Sequence, residues 1–149
     1  SGQFVLRPEG KDPVLLLSGG VGCTPMIAML SAIVEAESAR EVWYVHGVRN
    51  RRQHAFGAQI RSIAATHENI FSHIVFSRPE QTDSLGVDYD SVGHITIDLL
   101  RELLPDCSFQ VFMCGSTPFM RSLYVGLIDL GFDEFQIFYE FFGKASRLK

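Results

Sequence analysis

The chain has 149 residues, 46% hydrophobic and 20% charged, and carries a formal net charge of −4. That is one domain's worth of chain, long enough to close a core, and its balance is that of an ordinary globular protein. An acidic total argues against a nucleic-acid binder, which would show a basic face, and apolar runs such as Val14 to Leu17 or Phe141 to Phe142 are far too short to span a bilayer.

In chain order, Gly2 to Leu6 is extended and stands apart from the strand–helix alternation that begins at Val14. Val14 to Ser18 is a continuous apolar run between Pro13 and Gly19-Gly20, the pattern of a buried strand. Pro25 to Glu37 repeats apolar residues at Met26, Met29, Leu30 and Ile33, a helical face. Val42 to Val48 reads as a second strand, His54 to Thr66 as a second helix and Ile70 to Phe76 as a third strand. Arg78 to Gly93 is a polar loop. Ile97 to Leu104, stopped by Pro105, is a short helix, and Phe109 to Met113 a fourth strand. Pro118 to Leu130 is a helix closed by Gly131, and Phe135 to Tyr139 a fifth strand. This alternation predicts an α/β fold in three layers, an open parallel sheet of five strands with helices on both faces, and the order taken for it is 3-2-1-4-5.

Two loops carry the chemistry. Gly19-Gly20-Val21-Gly22-Cys23-Thr24-Pro25 lies between a buried strand and a helix. Glycines let backbone N–H groups approach a ligand and adopt positive φ. Thr24 suits an N-cap and Pro25 the first helical position, so the helix start favours an anion such as a pyrophosphate. The usual dinucleotide fingerprint is absent, because Pro25 stands where its third glycine belongs and the second strand ends His46-Gly47-Val48-Arg49-Asn50 without an acidic residue. The second loop, Cys114-Gly115-Ser116-Thr117-Pro118, repeats the design: a small turn, then Thr-Pro opening a helix. With the strand order 3-2-1-4-5 the two loops become the walls of one crevice, at the point where ligands bind in open α/β sheets.

Three motifs in register, Gly-Gly-Val-Gly-Cys-Thr-Pro at 19 to 25, Met-Cys-Gly-Ser-Thr-Pro-Phe-Met at 113 to 120 and Tyr-Glu-Phe-Phe-Gly at 139 to 143, resemble the ferredoxin-reductase superfamily. The nearest flavour is the reductase portion of flavohaemoglobins and of oxygenase reductases. Val45-His46-Gly47-Val48-Arg49-Asn50 with His54-Ala55-Phe56 adds a looser, flavohaemoglobin-type match.

The resemblance implies an NAD(P)H-binding domain of a flavin-dependent oxidoreductase, delivering hydride from nicotinamide to FAD or FMN on an upstream barrel. By itself the chain is then expected to be inactive. Residues 1–12 would be the end of the flavin domain's last strand and a linker, and 13–149 the NAD(P)H domain. The cofactor-binding set implied is Gly19, Gly20, Val21, Gly22, Cys23, Thr24, Pro25, His46, Arg49, Ser77, Arg78, Gly115, Ser116, Pro118 and Phe119. Thr24 would contact the nicotinamide side. Cys114 would stand beside the nicotinamide carbon that gives up hydride, with Glu140 and Phe142 matching a Glu-x-Phe whose aromatic covers the flavin. The catalytic set implied is thus Cys114, Glu140 and Phe142. Ser77-Arg78 follows the third strand, where an arginine fork suits the 2′-phosphate of NADPH; NADH and NADPH both stay open. Implied partners are the flavin-binding barrel and an electron acceptor, such as a ferredoxin or a globin, with no nucleic acid and no membrane.

Two other classes compete. One is a nucleotide-binding regulatory module without redox chemistry, which would have no use for Glu140 and Phe142. The other is a thiol enzyme using Cys23 or Cys114 at a helix N-terminus, for which no base is identifiable. The three cysteines, Cys23, Cys107 and Cys114, do not form a disulfide framework. Their spacing offers no metal site, and with no secretory leader in view they suit a cytoplasmic setting.

Overall fold

The computed structural model describes Leu6 and residues 10–20, 24–141 and 144–145, with residues 140, 141, 144 and 145 given as backbone alone. Among the described residues, seven strands form one sheet in the order β4-β3-β2-β1-β5-β6-β7. They are β1 (Val14–Gly19), β2 (Val42–Val48), β3 (Ile70–Phe76), β4 (Ser91–Val92), β5 (Gln110–Cys114), β6 (Ile137–Phe141) and β7 (Lys144–Ala145). The first six run parallel; β7 pairs antiparallel with β6 at the edge. The five expected strands are present in the expected order, as β3-β2-β1-β5-β6. The additions, β4 and β7, have two residues each, too few for a period-two pattern to declare them.

Helices α1 (Thr24–Glu35) and α2 (Gly57–Thr66) pack on one face, α3 (Ile97–Leu103) and α4 (Thr117–Leu130) on the other. Successive strand residues point to opposite faces, and the core divides accordingly. Leu15, Leu17, Val111 and Met113 lie under α3 and α4 with Met120, Leu123 and Leu127. Val14, Leu16, Tyr44, Phe112 and Cys114 lie under α1 and α2 with Met26, Leu30, Ile33 and Ile60. Because both faces are buried, the central strands read as continuous apolar runs.

Local chemistry sets the element ends. Ser116 caps α4 by accepting from Phe119 N–H, and Gly131, at φ 125°, closes it with its N–H on Leu127 and Ile128 carbonyls. Thr96 caps α3 through Leu99 N–H. The second helix starts at Gly57 rather than His54, because Arg51–Gln53 forms a separate 3₁₀ turn and the chain bends at His54. The last long strand starts at Ile137 rather than Phe135: Asp133 and Gln136 form a reciprocal capping box that winds Glu134–Gln136 into a 3₁₀ turn. Of the segment expected to be a linker, Gly10 and Asp12 carbonyls accept from Ser38 Oγ at 3.3 Å and Arg40 Nε at 2.7 Å. Its first strand, Gly2 to Leu6, lies outside the described residues except for Leu6, which packs on the α1/α2 core.

Candidate functional site

The strand order reverses beside β1. β2 and β3 follow on one side, and β5 pairs on the other. The turns leaving β1 and β5 are therefore neighbours, and a Cβ on Gly115 would stand 3.1 Å from the Gly19 carbonyl oxygen. Phe119, in the first turn of α4, fits against both. Its ring would lie 2.7 Å from a Cβ on Gly19 at one edge and 2.7 Å from a Cβ on Gly115 at the other. Glycine at both positions is what lets the ring enter.

A cavity of about 450 Å³ opens at this reversal, over the carboxyl ends of β1, β2 and β3. Gly19, Gly20, Ser116 and Phe119 line it from the β1 and β5 turns. Gly47, Val48, Arg49 and Gln53 line it from the end of β2, with Ser77, Gly93, His94 and Ile95 on the far side. Gly20 has φ 88° and nothing within 4 Å of where a Cβ would stand, so its backbone faces open space. Its N–H is already donated to Gly47 O at 2.8 Å, which ties the β1 and β2 ends together. Among the described residues the lining holds one guanidinium, Arg49, and no carboxylate. Such a lining fits an anionic, phosphate-bearing ligand approached by bare backbone.

The arginines of this region are sorted by their partners. Arg52 holds Glu80 with two bonds, Nε to Oε1 at 2.9 Å and Nη2 to Oε2 at 2.6 Å, and Arg51 Nε lies 3.5 Å from Asp83 Oδ1. These pairs brace residues 80–83 and stay out of the cavity. Arg78 is exposed, and its N–H bonds Arg49 O at 2.9 Å, but it does not line the cavity.

Six of the expected cofactor-binding residues meet at the cavity: Gly19, Gly20, Arg49, Ser77, Ser116 and Phe119. Thr24 is exposed at the first turn of α1, one place later than an N-cap, and Pro25 is half-buried beside it. Val21, Gly22, Cys23 and Phe142 lie outside the described residues. Pro118 and Gly115 border the wall without lining it, Gly115 being buried under Phe119. Cys114, at 1% exposure, and His46, at 6%, are set behind the wall on the α1/α2 face. The β5–β6 register does bring Cys114 and the Glu140 backbone side by side.

Behind the wall the polar groups form a unit. Ser18 Oγ and His46 Nδ1 are 2.6 Å apart in a buried hydrogen bond. The His46 ring lies 4.9 Å from the His54 ring, tilted by 31°. Burial first, then the nearby His54, pushes His46 down to about 3, against the opposing pull of a hydrogen bond to the Ser18 backbone. Burial and the Arg61 charge push His54 down to about 4. Both imidazoles are neutral at pH 7.

Sequence reading missed Gly47, Val48, Gln53, Gly93, His94 and Ile95. Gly47 did carry a signal, since a glycine inside an apolar strand marks close approach. A Cβ there would meet Ile95 Cδ1 at 3.3 Å. His94 carried none, because its place depends on the two-residue strand β4 just before it.

The family model of the oxidoreductase NAD-binding domain matches residues 16–124. A flavohemoprotein of Xylella fastidiosa is 39% identical over 142 residues, 95% of this chain and 34% of that protein. One from Bacillus anthracis is 34% identical over all 149 residues, 37% of its own length. The structure of the "Flavohem-like-FAD/NAD Binding Domain of Nitric Oxide Dioxygenase" from Vibrio cholerae superposes with a TM-score of 0.77 at 26% identity, over 95% of this chain and 55% of that one. The chain thus spans little more than a third of the flavohemoproteins it matches. A crevice at the strand reversal, walled by paired glycine turns and lined among the described residues without a carboxylate, agrees with the family match over most of the length: this chain belongs to the oxidoreductase NAD-binding domain family and is homologous to the reductase part of flavohaemoglobins.

Proposed function

We propose that the chain binds NAD(P)H in the crevice between the β1 and β5 turns and presents the nicotinamide to a flavin, FAD or FMN, held by a barrel domain of a longer parent. The carrying observation is the pair of glycine turns meeting on Phe119 over a cavity whose only charged side chain among the described residues is Arg49. The Vibrio cholerae relative, named for FAD and NAD together, supports the pairing of cofactors.

Gly19, Gly20 and the start of α1, with Val21, Gly22, Cys23, Thr24 and Pro25, are proposed to take the pyrophosphate. Arg49, Ser77 and Arg78 would face the adenosine end. Ser116, Pro118, Phe119 and Gly115 would shape the nicotinamide end, and His46 would support the wall from behind. Bound NAD(P)H supplies a hydride and the flavin accepts it. The chain's own task is to hold the donor at near-attack distance, which needs positioning rather than an acid–base pair. Cys114, Glu140 and Phe142 are proposed to border the reacting end. The Cys114 side chain is buried in the α1/α2-face core rather than exposed in the crevice, which argues against a thiol enzyme at that residue.

A flavin-binding barrel joined through residues 1–12, and a globin or ferredoxin as acceptor, are the partners this reading proposes, in the cytoplasm. No helix among the described residues is long and apolar enough to cross a membrane. Calorimetric titration with NADH and NADPH tests the reading. Saturable binding of at least one is expected, weakened tenfold or more by Gly20→Val, whose side chain would enter the crevice from a strained φ. Equal affinity in parent and variant would take the β1 turn out of the site.

A further inference from the structure

Two buried polar side chains and a half-buried one each sit next in sequence to a residue that lines the crevice: Ser18 before Gly19, His46 before Gly47, and the half-buried His54 after Gln53. The register across the sheet puts Ser18 level with both His46 and Cys114. This row lies on the α1/α2 face, immediately behind the crevice wall. We propose that His46 is a positioning residue for the crevice, joining Ser18 on one side to His54 on the other so that the β1 turn and the Arg49–Gln53 turn are held in one fixed relation. The inference rests on the crevice being the nucleotide site.

The contacts are specific rather than filler. Ser18 and His46 share a 2.6 Å hydrogen bond across two adjacent strands, in a core where an unmet polar group is costly. The His46 and His54 rings meet at a tilt, with centroids 4.9 Å apart, and His54 meets Phe76 edge-on, with ring centroids at 6.3 Å. Gly57 leaves the space His54 needs, since a Cβ there would stand 2.8 Å from His54 Nδ1. The imidazoles are uncharged, His46 through its burial and His54 through partial burial and the nearby Arg61 charge. An apolar core could seal this layer with leucine. A hydrogen bond from one side and a tilted ring contact from the other instead fix direction as well as distance. The backbone bond from Gly20 N–H to Gly47 O, at 2.8 Å, is the part of the crevice this unit supports.

The test needs a readout that does not depend on the nucleotide, and the Gly20 amide supplies one. Hydrogen exchange of that amide, followed by NMR, should accelerate at least tenfold in His46→Phe, while amides of β5 such as Val111 and Phe112 keep their protection. His46→Asn places an amide where Nδ1 was and should restore slow exchange. Ser18→Ala combined with His46→Phe should be no worse than either change alone, because both break one bond. Affinity for NAD(P)H should fall several-fold in His46→Phe and recover in His46→Asn. Unchanged Gly20 exchange in His46→Phe, or a His46→Asn variant as impaired as His46→Phe, would overturn the proposal. If Gly20 responds as expected but the parent chain binds no NAD(P)H, the positioning stands and the nucleotide reading falls. Should His46→Phe fail to fold, Ser18→Ala carries the same measurement, with faster Gly20 exchange supporting the proposal and unchanged exchange overturning it.

Discussion

Gly19 and Gly115 hold the Phe119 ring by two edges, leaving it room to yield only toward the cavity it lines. Gly19→Ala places a methyl 2.7 Å from Phe119 Cε1, and overpacking of this kind costs about 1–3 kcal/mol. Urea denaturation should show that loss, and Gly19→Ala with Phe119→Leu should recover part of it. A fully stable Gly19→Ala would mean the ring is not pinned. The histidines make a second prediction. An unfolded histidine titrates near 6.5, whereas His54 and His46 are held to about 4 and about 3. Both are depressed, so their neutral forms are favoured by folding. Stability is full above 6.5 and falls as the pH drops toward the folded values, by up to about 1.4 kcal/mol per pH unit for each group. Denaturation from pH 7.5 to 5 should therefore show a shallower slope for His54→Phe than for the parent; identical slopes would contradict the burial argument. At this scale the sequence was readable where backbone chemistry shows through residue type. The glycines at 19, 20 and 115 were legible. His94 and Gln53 were not, because only tertiary placement brings a solvated histidine and glutamine to the cavity.

Helices α3 and α4 approach closely at one point, where a Cβ on Gly126 would overlap Ile97 Cγ1. Two effects of Gly126→Ala oppose each other. Alanine in a helix is worth about 1 kcal/mol over glycine, while the forced separation of two packed helices costs about 1–3 kcal/mol. The contact is to a β-branched side chain near its root, which has little freedom to retreat, so the cost should win. Thermal melts should show a net loss, and Gly126→Ala with Ile97→Ala should lose less than the two single losses added. A stabilised Gly126→Ala would show that the helices part without penalty. Elements with a full period were legible: the Val14–Gly19, Val42–Val48 and Ile70–Phe76 strands and the Gly131 stop of α4 all derive from apolar runs and terminal residues. The start of α2 was not. Continuous residue chemistry from His54 onward hides a bend that exists because His54 turns inward onto His46.

For the whole molecule, function rests on the sheet order. Only with β5 beside β1 do turns nearly a hundred residues apart in sequence face one another. The alternation of strands and helices made the parallel sheet legible, whereas the order 3-2-1-4-5 was one of the few arrangements that right-handed crossovers leave. The hydride-transfer reading adds a prediction for a parent protein carrying the flavin domain. Cys114→Ala should slow flavin reduction in stopped flow far more than it weakens nucleotide binding, the mark of lost near-attack geometry; parallel changes would make Cys114 a core residue only. Whether the β1–β5 crevice is the nicotinamide-nucleotide site is decided by NMR shift mapping of the labelled chain during titration with NADH and NADPH. Saturable shifts should centre on Gly19, Gly20, Gly47, Arg49, Ser77 and Ser116. Shifts centred instead on the opposite end of the sheet, around Tyr124, Phe132 and Phe135, or no saturable shift with either nucleotide, would contradict that assignment.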